Sequence, residues 1–465
     1  MFIGKVRSRK NIVLVSLIFL IGIALLPGFE GLTLQGQRAI AVFVMAVILW
    51  ATAAIPLSVT GILVIAALPL LGVMDEAAAY SLFGNSAVFF ILGAFILAAA
   101  MMKTGLSRRI SLLVLSRFDG SPKRLVAGVL LTSALMAFIM PEHAVAAIMF
   151  PVIVDITRSL ELEPLKSRYG ALLFISMAWG AIIGGIATLL GGARNPLALG
   201  LLSEHYGLKI SFFDWIVFAA PITFVVLGFA YVILLFFFSI DVIDISKARR
   251  AIENDLASRG DFSKAEKTVF LVMIITFLSW IFLSAQIGIA NIALVASVLL
   301  FILGILEWKD VEDYVNWGVI LMYGGAIALG SALVSTGAAQ WIADQFLTKS
   351  ALTPLAFFIL LSLISLFLTE GISNAATVAI VLPIGFGVGD ALGINPVATV
   401  FMVALPSGLA FTLPIASPPN AIAYSSGYYE ISDILKPGLV LNIVSWIIFL
   451  MIGLLIWPLF GLNVL

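Results

Sequence analysis

Residues 369–384 read TEGISNAATVAIVLPI, a strongly apolar stretch opened by a polar break at Gly371–Asn374. Apolar residues fill 352–369 before the break and 374–391 after it. Inside a bilayer such a break is tolerated only where it is buried in protein or lines a cavity. The pattern occurs again around 130–155, where Pro141-Glu142-His143 interrupts an apolar run. Two further runs are broken by Gly191-Gly192-Ala193-Arg194-Asn195 and by Ala416-Ser417-Pro418-Pro419-Asn420.

Working outward, the whole chain has membrane composition. Its 465 residues are 62% hydrophobic and only 11% charged, with a mean hydropathy of +1.18. Soluble chains run at roughly 45–50% apolar and about 25% charged. A soluble enzyme, a nucleic-acid binder and a disordered scaffold are therefore excluded. Long apolar runs also exclude a β-barrel, whose alternation gives a weaker signal. The expected fold class is an all-α polytopic membrane protein, with the lipid bilayer as its surroundings. Lys and Arg (25) balance Asp and Glu (25), so no bulk field attracts nucleic acid. With no Cys and only His143 and His205, disulfides, Cys-based zinc sites and His-rich metal sites are not expected.

The first apolar run, near 11–28, follows Lys5, Arg7, Arg9 and Lys10, which places the N-terminus in the cytoplasm and the chain in the cell (inner) membrane. The longest polar stretch, 241–266, is a linker whose charge pattern reads as an amphipathic or solvated cytoplasmic helix, and Arg108, Arg109, Arg117, Lys123 and Arg124 mark another cytoplasmic loop. Gly93, Ala94, Leu97, Ala100, Thr104 and Gly105 recur 232 residues later as Gly325, Ala326, Leu329, Ala332, Thr336 and Gly337. The same shift carries Ala144, Ala147, Ile148 and Pro151 onto Ala376, Ala379, Ile380 and Pro383. This reads as a duplication. Residues 1–37 form the N-terminus and a first helix outside it, 38–240 the first repeat, 241–266 the linker and 267–465 the second repeat. A cytoplasmic linker after an odd number of spans makes the repeats inverted.

Two hairpin breaks and two helix breaks, paired by the repeat, point to a transporter binding site. Half-helix N-termini present free N–H groups and partial positive charge, which suit an anion. Freed carbonyls with Asn and Ser oxygens suit a hard cation such as Na⁺.

The paired motifs 369–384 and LPIASPPNAIAYSSG (413–427), with FILGAFILAAAMMKTGLSRRI (90–110), resemble the divalent anion/sodium symporter family of dicarboxylate, tricarboxylate and sulfate carriers. The resemblance covers almost the whole chain. It implies eleven spans plus two re-entrant hairpins, inverted repeats, scaffold and transport domains, an elevator motion and a homodimer. It implies a substrate such as succinate, malate or sulfate, coupled to Na⁺, and no organic cofactor. In the family each hairpin tip carries Ser-Asn-Thr and each broken helix a Ser/Thr-Pro stretch ending in Asn. Carried over, the substrate candidates are Ser373, Asn374, Ala375, Ser417, Pro418, Asn420 and Asn195, and the Na⁺ candidates Thr369, Ser373, Asn374 and Ala416.

This chain departs from the pattern in its first half. Pro141, Glu142 and His143 stand at the first tip, Ala193-Arg194 replace Pro-Pro, and Ala375 replaces the second tip's Thr. Ionisable groups at membrane depth are costly and are usually functional or paired. Glu142, His143 and Arg194 are thus expected at the substrate and as coupling residues. An Arg194–Glu142 pair would put a fixed cation at the former first Na⁺ site, with coupling altered towards H⁺ or anion exchange. A purely structural pair is the alternative. Glu370 is expected to bond hairpin backbone N–H groups, and His205 to be a solvated loop residue. Other function classes are a channel, an arsenite or cation–proton antiporter on the same fold, and an intramembrane enzyme using Glu142 and His143. The last fails for want of a metal-binding pattern, so no enzymatic activity is expected.

Overall fold

The computed structural model describes residues 2–347 and 352–464, without the side chains of residues 2–8, 346 and 347, so the Lys5 and Arg7 side chains lie outside the described residues. The described chain is all helical, without strands. In order it forms α1 (Phe2–Leu25), α2 (Leu34–Thr52), α3 (Leu57–Leu70), α4 (Glu76–Ser81), α5 (Ser86–Lys103), α6 (Leu106–Leu115), α7 (Pro122–Ala137) and α8 (Glu142–Ser159). Then follow α9 (Arg168–Gly184), α10 (Arg194–Tyr206), α11 (Phe212–Phe237), α12 (Ser246–Ser258), α13 (Lys264–Ile287), α14 (Ile289–Ile302) and α15 (Trp308–Tyr314). The remainder is α16 (Trp317–Ser335), α17 (Ala338–Leu347), α18 (Pro354–Gly371), α19 (Asn374–Ala391), α20 (Pro396–Ala404), α21 (Pro418–Tyr424) and α22 (Ile431–Leu455).

Eight stretches among the described residues are long and apolar enough to cross a membrane. The shorter apolar helices include α3, α9 and α14. With α9–α10 and α20–α21 each taken as one broken crossing, the helices accommodate eleven spans, and α7–α8 and α18–α19 are the two hairpins. Local chemistry sets the ends. Ser211 with Asp214 and Ser263 with Glu266 form capping boxes that start α11 and α13. Left-handed glycines follow α10 and precede α6 and α17, at Gly207, Gly105 and Gly337. The outer faces of α11, α13, α14 and α22 carry exposed Phe236, Phe282, Val295 and Leu455. Apolar side chains on such a scale face lipid.

Helix boundaries recur at the 232-residue offset: 57–70 and 289–302, 106–115 and 338–347, 142–159 and 374–391. The packing recurs in crossed form. Helix α3 packs on α16 and α14 on α5; α8 packs on α21 and α19 on α10. The first two contacts are close because Gly325 lies on Gly61 and Gly93 on Ala293. Small residues let apolar helices approach where lipid gives no hydrophobic drive.

Several details differ from the sequence reading. Arg108 and Arg109 lie in α6, not in a loop, and Arg109 is buried on Glu266 at 2.6 Å. The amphipathic turn of α6 brings that side chain under the residues that follow α12. His205 belongs to the last turn of α10, not to a solvated loop. Its ring stacks on Phe386 and its Nε2 is 3.8 Å from Asp390. The linker, by contrast, contains the expected helix, α12, and its buried Ala248 and Ile252 decide for the amphipathic form.

A Cβ at Gly325 would sit 2.4 Å from the Gly61 Cα and 2.5 Å from its carbonyl oxygen, both backbone. We expect Gly325→Ala to destabilise the protein by roughly 1–3 kcal/mol, seen as a lower thermal-unfolding midpoint in detergent. Gly228→Ala, whose Cβ meets nothing within 4 Å, is the control and leaves the midpoint unchanged.

Candidate functional site

A helix that stops inside the protein leaves its last carbonyls without partners. Here one residue type repairs both breaks. The Asn195 amide donates to the carbonyls of Gly185 (3.0 Å) and Thr188 (2.7 Å). The Asn420 amide donates to those of Ala410 (3.0 Å) and Leu413 (3.3 Å). In each case the acceptors lie ten and seven residues upstream. The Oδ1 atoms of both asparagines are buried without a partner. The sequence reading placed both asparagines at a substrate; in the structure their amide nitrogens hold the breaks together and their Oδ1 atoms have no protein partner.

Each hairpin tip is tied to a break. The Glu142 N–H donates to the Gly191 carbonyl at 2.8 Å, and Thr188 Oγ1 to the Phe138 carbonyl at 2.8 Å. Pro141 precedes Glu142 as the cap residue of α8. Ser373 caps α19, its Oγ accepting from the Ala376 N–H. The starts of α8, α10 and α19 thereby meet at three first residues: Glu142, Arg194 and Asn374. The start of α21 joins them through the Ala416 carbonyl, 3.0 Å from the Asn374 amide. The partial positive charges of the α8, α10 and α19 starts converge there, and α21, which begins with two prolines, adds a carbonyl instead.

Glu142 and Arg194 are both buried, at 6% and 1% exposure. Arg194 Nη1 donates to Glu142 Oε1 at 3.2 Å and Oε2 at 3.1 Å. Arg194 Nε and Nη2 have no partner. The Asn374 amide stands between this pair and a nest of neutral oxygens. One of its terminal atoms lies 2.7 Å from Thr369 Oγ1, 3.0 Å from the Ala416 carbonyl and 3.2 Å from the Ser407 carbonyl. With nitrogen in that place, the amide donates to those oxygens and its oxygen accepts from Arg194 Nη1 at 3.0 Å. With oxygen there, its nitrogen faces Glu142 Oε1 at 3.4 Å and four oxygen atoms converge. The first arrangement pairs every donor with an acceptor and is the one the protein alone favours; a small alkali cation would need the second, with the oxygens turned to it. Thr369 also donates to the Ser407 carbonyl at 2.9 Å. Among the described residues no group of three His, Asp or Glu side chains forms a transition-metal site.

Glu370 is buried and accepts from the N–H groups of Phe411 (2.9 Å), Thr412 (3.1 Å) and Leu413 (3.0 Å), and from Asn442 Nδ2 (2.6 Å). These donors belong to the second helix break and to α22, not to the hairpin backbone that the sequence suggested. The unwound segment 409–417 turns its freed N–H groups towards α18, which puts them within the carboxylate's reach.

The structure brings together Glu142, Arg194, Asn374, Thr369 and the Ala416 carbonyl. Ser417 stands beside them with a buried, unpartnered Oγ, and Pro418 is the first residue of α21. Ala375 brings no polar side-chain atom. His143 does not join the ion pair: its ring meets Phe95 edge-on at 5.7 Å, because it lies one position further round α8 from Glu142. Ser407, Thr188 and Asn442 join the network without having been singled out from sequence. So does Gly408, which with Gly192 of the sequence-marked break and Gly185 lies against the Glu142 and Arg194 side chains. The Pro-Ser-Gly run at 406–408 was a readable signal for two of them.

The model of the sodium:sulfate symporter transmembrane region matches residues 8–463. The chain is 28% identical over 457 residues to the sodium-dependent dicarboxylate transporter SdcS of Staphylococcus saprophyticus, covering 91% of this chain and 88% of that one. It is 27% identical over 455 residues to SdcS of Staphylococcus aureus, covering 92% and 87%. Among solved structures, the Alcanivorax borkumensis YdaH transporter aligns with a TM-score of 0.55 at 16% identity, covering 84% of this chain and 90% of the other. The Neisseria gonorrhoeae MtrF structure aligns at 0.57 and 16% identity, covering 96% and 94%. At that identity the likeness is one of fold.

Removing Glu370 would orphan the N–H groups of Thr412 and Leu413 and the Asn442 amide, at roughly 1–3 kcal/mol each, while the Phe411 N–H keeps Asn442 Oδ1 at 3.2 Å. We expect Glu370→Ala to lower the unfolding midpoint in detergent by far more than Glu370→Gln, which keeps one acceptor oxygen. Equal midpoints would remove the carboxylate from the support of the break.

Proposed function

The chain belongs to the sodium:sulfate symporter family, and from that premise we propose that it is a secondary transporter of small divalent anions. The single observation that carries this reading is the convergence of four helix starts on a buried guanidinium and a nest of neutral oxygens. An anion and a hard cation have adjacent places in one protein interior. The SdcS relatives, named as sodium-dependent dicarboxylate transporters, favour a dicarboxylate such as succinate or malate, with sulfate as the further member of the class. As a family of transporters, its members are not enzymes.

The residues present fit one Na⁺. Thr369 Oγ1, Asn374 Oδ1 and the carbonyls of Ser407 and Ala416 would hold it, while Ser373 serves as the cap of α19. A bound Na⁺ supplies positive charge that makes anion binding favourable and couples it to the ion gradient. The chain's own groups do the rest. Asn374 turns its amide between the oxygen nest and the ion pair, Asn195 and Asn420 keep the two breaks open, and Glu370 holds the second break in shape. In the first half Glu142 and Arg194 occupy the tip and break positions that the family pattern fills with neutral residues. A fixed cation with its own counter-charge replaces a mobile one there, so this half contributes altered coupling.

The larger arrangement belongs to the same proposal. Residues 38–240 and 267–465 are inverted repeats, supported by the 232-residue recurrence of helix ends and by the crossed packing. Helices α3, α5, α14 and α16 serve as scaffold. The hairpins and broken helices serve as the transport unit, moving in an elevator manner within a homodimer of the cell membrane. The N-terminus is cytoplasmic.

Proteoliposomes loaded without Na⁺ and given labelled succinate, malate or sulfate test this. We expect accumulation of at least one of these anions when Na⁺ is supplied outside. We expect Thr369→Ala to raise the Na⁺ concentration for half-maximal uptake about tenfold or more, the loss of one ligand in a small site. Uptake indifferent to Na⁺ and driven only by internal counter-anion would overturn sodium coupling. No uptake of any of the three would overturn the substrate class.

A further inference from the structure

Two buried arginine–glutamate pairs in this protein differ in one respect. Arg109 spends its whole guanidinium on protein. Its Nε and Nη2 donate to the two oxygens of Glu266 at 2.6 and 3.2 Å, Nη1 to the Gly260 carbonyl at 2.8 Å, and Nη2 again to the Arg259 carbonyl at 3.0 Å. That is the arrangement of a structural clamp, with every buried donor satisfied. Arg194 spends only Nη1, which holds both oxygens of Glu142 end-on. Its Nε and Nη2, the two atoms that form the side edge of the fork, are buried and have no partner. Leaving two charged N–H donors dry is costly, and a pair needed only for packing would use the fork, as Arg109 does.

No side chain covers that edge; the backbone of Gly408 does, so a bound carboxylate requires the 406–408 segment to draw back from the guanidinium. The guanidinium lies against Gly192 and Gly408. A Cβ on Gly408 would fall 2.3 Å from Nε, 2.4 Å from Nη2 and 2.5 Å from Cζ; one on Gly192 would fall 2.6 Å from Nη1. Nearby, Ser417 Oγ is a further buried polar atom without a partner.

We infer that the Nε–Nη2 edge of Arg194 is the anchor for one carboxylate of the transported anion, and that Glu142 is the positioning residue that presents the edge by holding Nη1. Two parallel N–H···O bonds from Nε and Nη2 match the two oxygens of a carboxylate, which an ammonium cannot reproduce. This rests on the transport reading above and goes beyond it, because it makes a residue outside the neutral hairpin tips the determinant of affinity. It also assigns Glu142 a role that needs no change in its charge.

The test is succinate uptake in proteoliposomes, with succinate-induced thermal stabilisation of the purified protein in detergent as a second readout. Arg194→Lys keeps the charge and removes the fork. Gly408→Ala leaves Arg194 and Glu142 in place, but its Cβ must push the guanidinium aside; only the tip of a flexible side chain has to move, so the fold survives. Both variants are expected to raise the KM for succinate about tenfold or more, the worth of one charge-assisted hydrogen bond, with kcat much less affected. Both are expected to lose the succinate-induced shift while keeping a near-normal unfolding midpoint without succinate. Arg109→Lys, by contrast, lowers the unfolding midpoint and leaves the KM unchanged. Wild-type protein that transports succinate while Gly408→Ala and Arg194→Lys keep its KM would overturn this inference alone. Wild-type protein that neither transports nor is stabilised by succinate overturns the dicarboxylate reading, and this inference with it.

Discussion

Backbone polar groups cannot be left bare in a bilayer, and this protein breaks two of its crossings and folds back two hairpins inside one. Every special residue of the site answers that constraint. Asn195 and Asn420 each tie two freed carbonyls across a break. Glu370 gathers three freed N–H groups from one. The unwound segments and tips that remain have their polar groups turned inward, at the one place where four helix starts meet. The proposed binding site is thus the consequence of stabilising irregular backbone at membrane depth. In that proposal the same groups that would be a liability in lipid become the means of holding ions.

Charge is distributed unequally between the two halves. In the second half the site is built of neutral oxygens from Thr369, Asn374, Ser407 and Ala416. In the first half the corresponding tip carries Glu142, 232 residues before Asn374, and the break carries Arg194. Asn374 touches both environments and so joins them. A permanent charge that lacks a full set of partners is an expensive thing to bury. Its presence beside a set of glycines, rather than in a packed network like that of Arg109, is what separates a binding role from a structural one.

Much of this was readable from residues alone. TEGISNAATVAIVLPI exposed a hairpin by interrupting an apolar run, and the offset that carries Gly93 to Gly325 anticipated matching helix ends. Glu142 and Arg194 stood out because charged residues seldom sit in such runs, and their pairing followed from that. Other features were hidden because they depend on contacts distant in sequence. Nothing near Glu370 says that its partners lie at 411–413. Arg109 looked like one of several loop charges until helix α6 carried it under Gly260 and Glu266. His143 was expected beside Glu142 as a coupling residue, but helical geometry turns its ring towards Phe95. Gly408 was one of 39 glycines, and only the guanidinium lying on it gives it meaning.

The measurement that bears most directly on the central claim is a cryo-EM structure of the protein in lipid nanodiscs with Na⁺ and succinate. The account predicts succinate density where the starts of α8, α10, α19 and α21 meet, with one carboxylate on Arg194 Nε and Nη2 while Nη1 stays on Glu142. Succinate bound at another place, with that meeting point filled only by the Arg194–Glu142 pair, would contradict it.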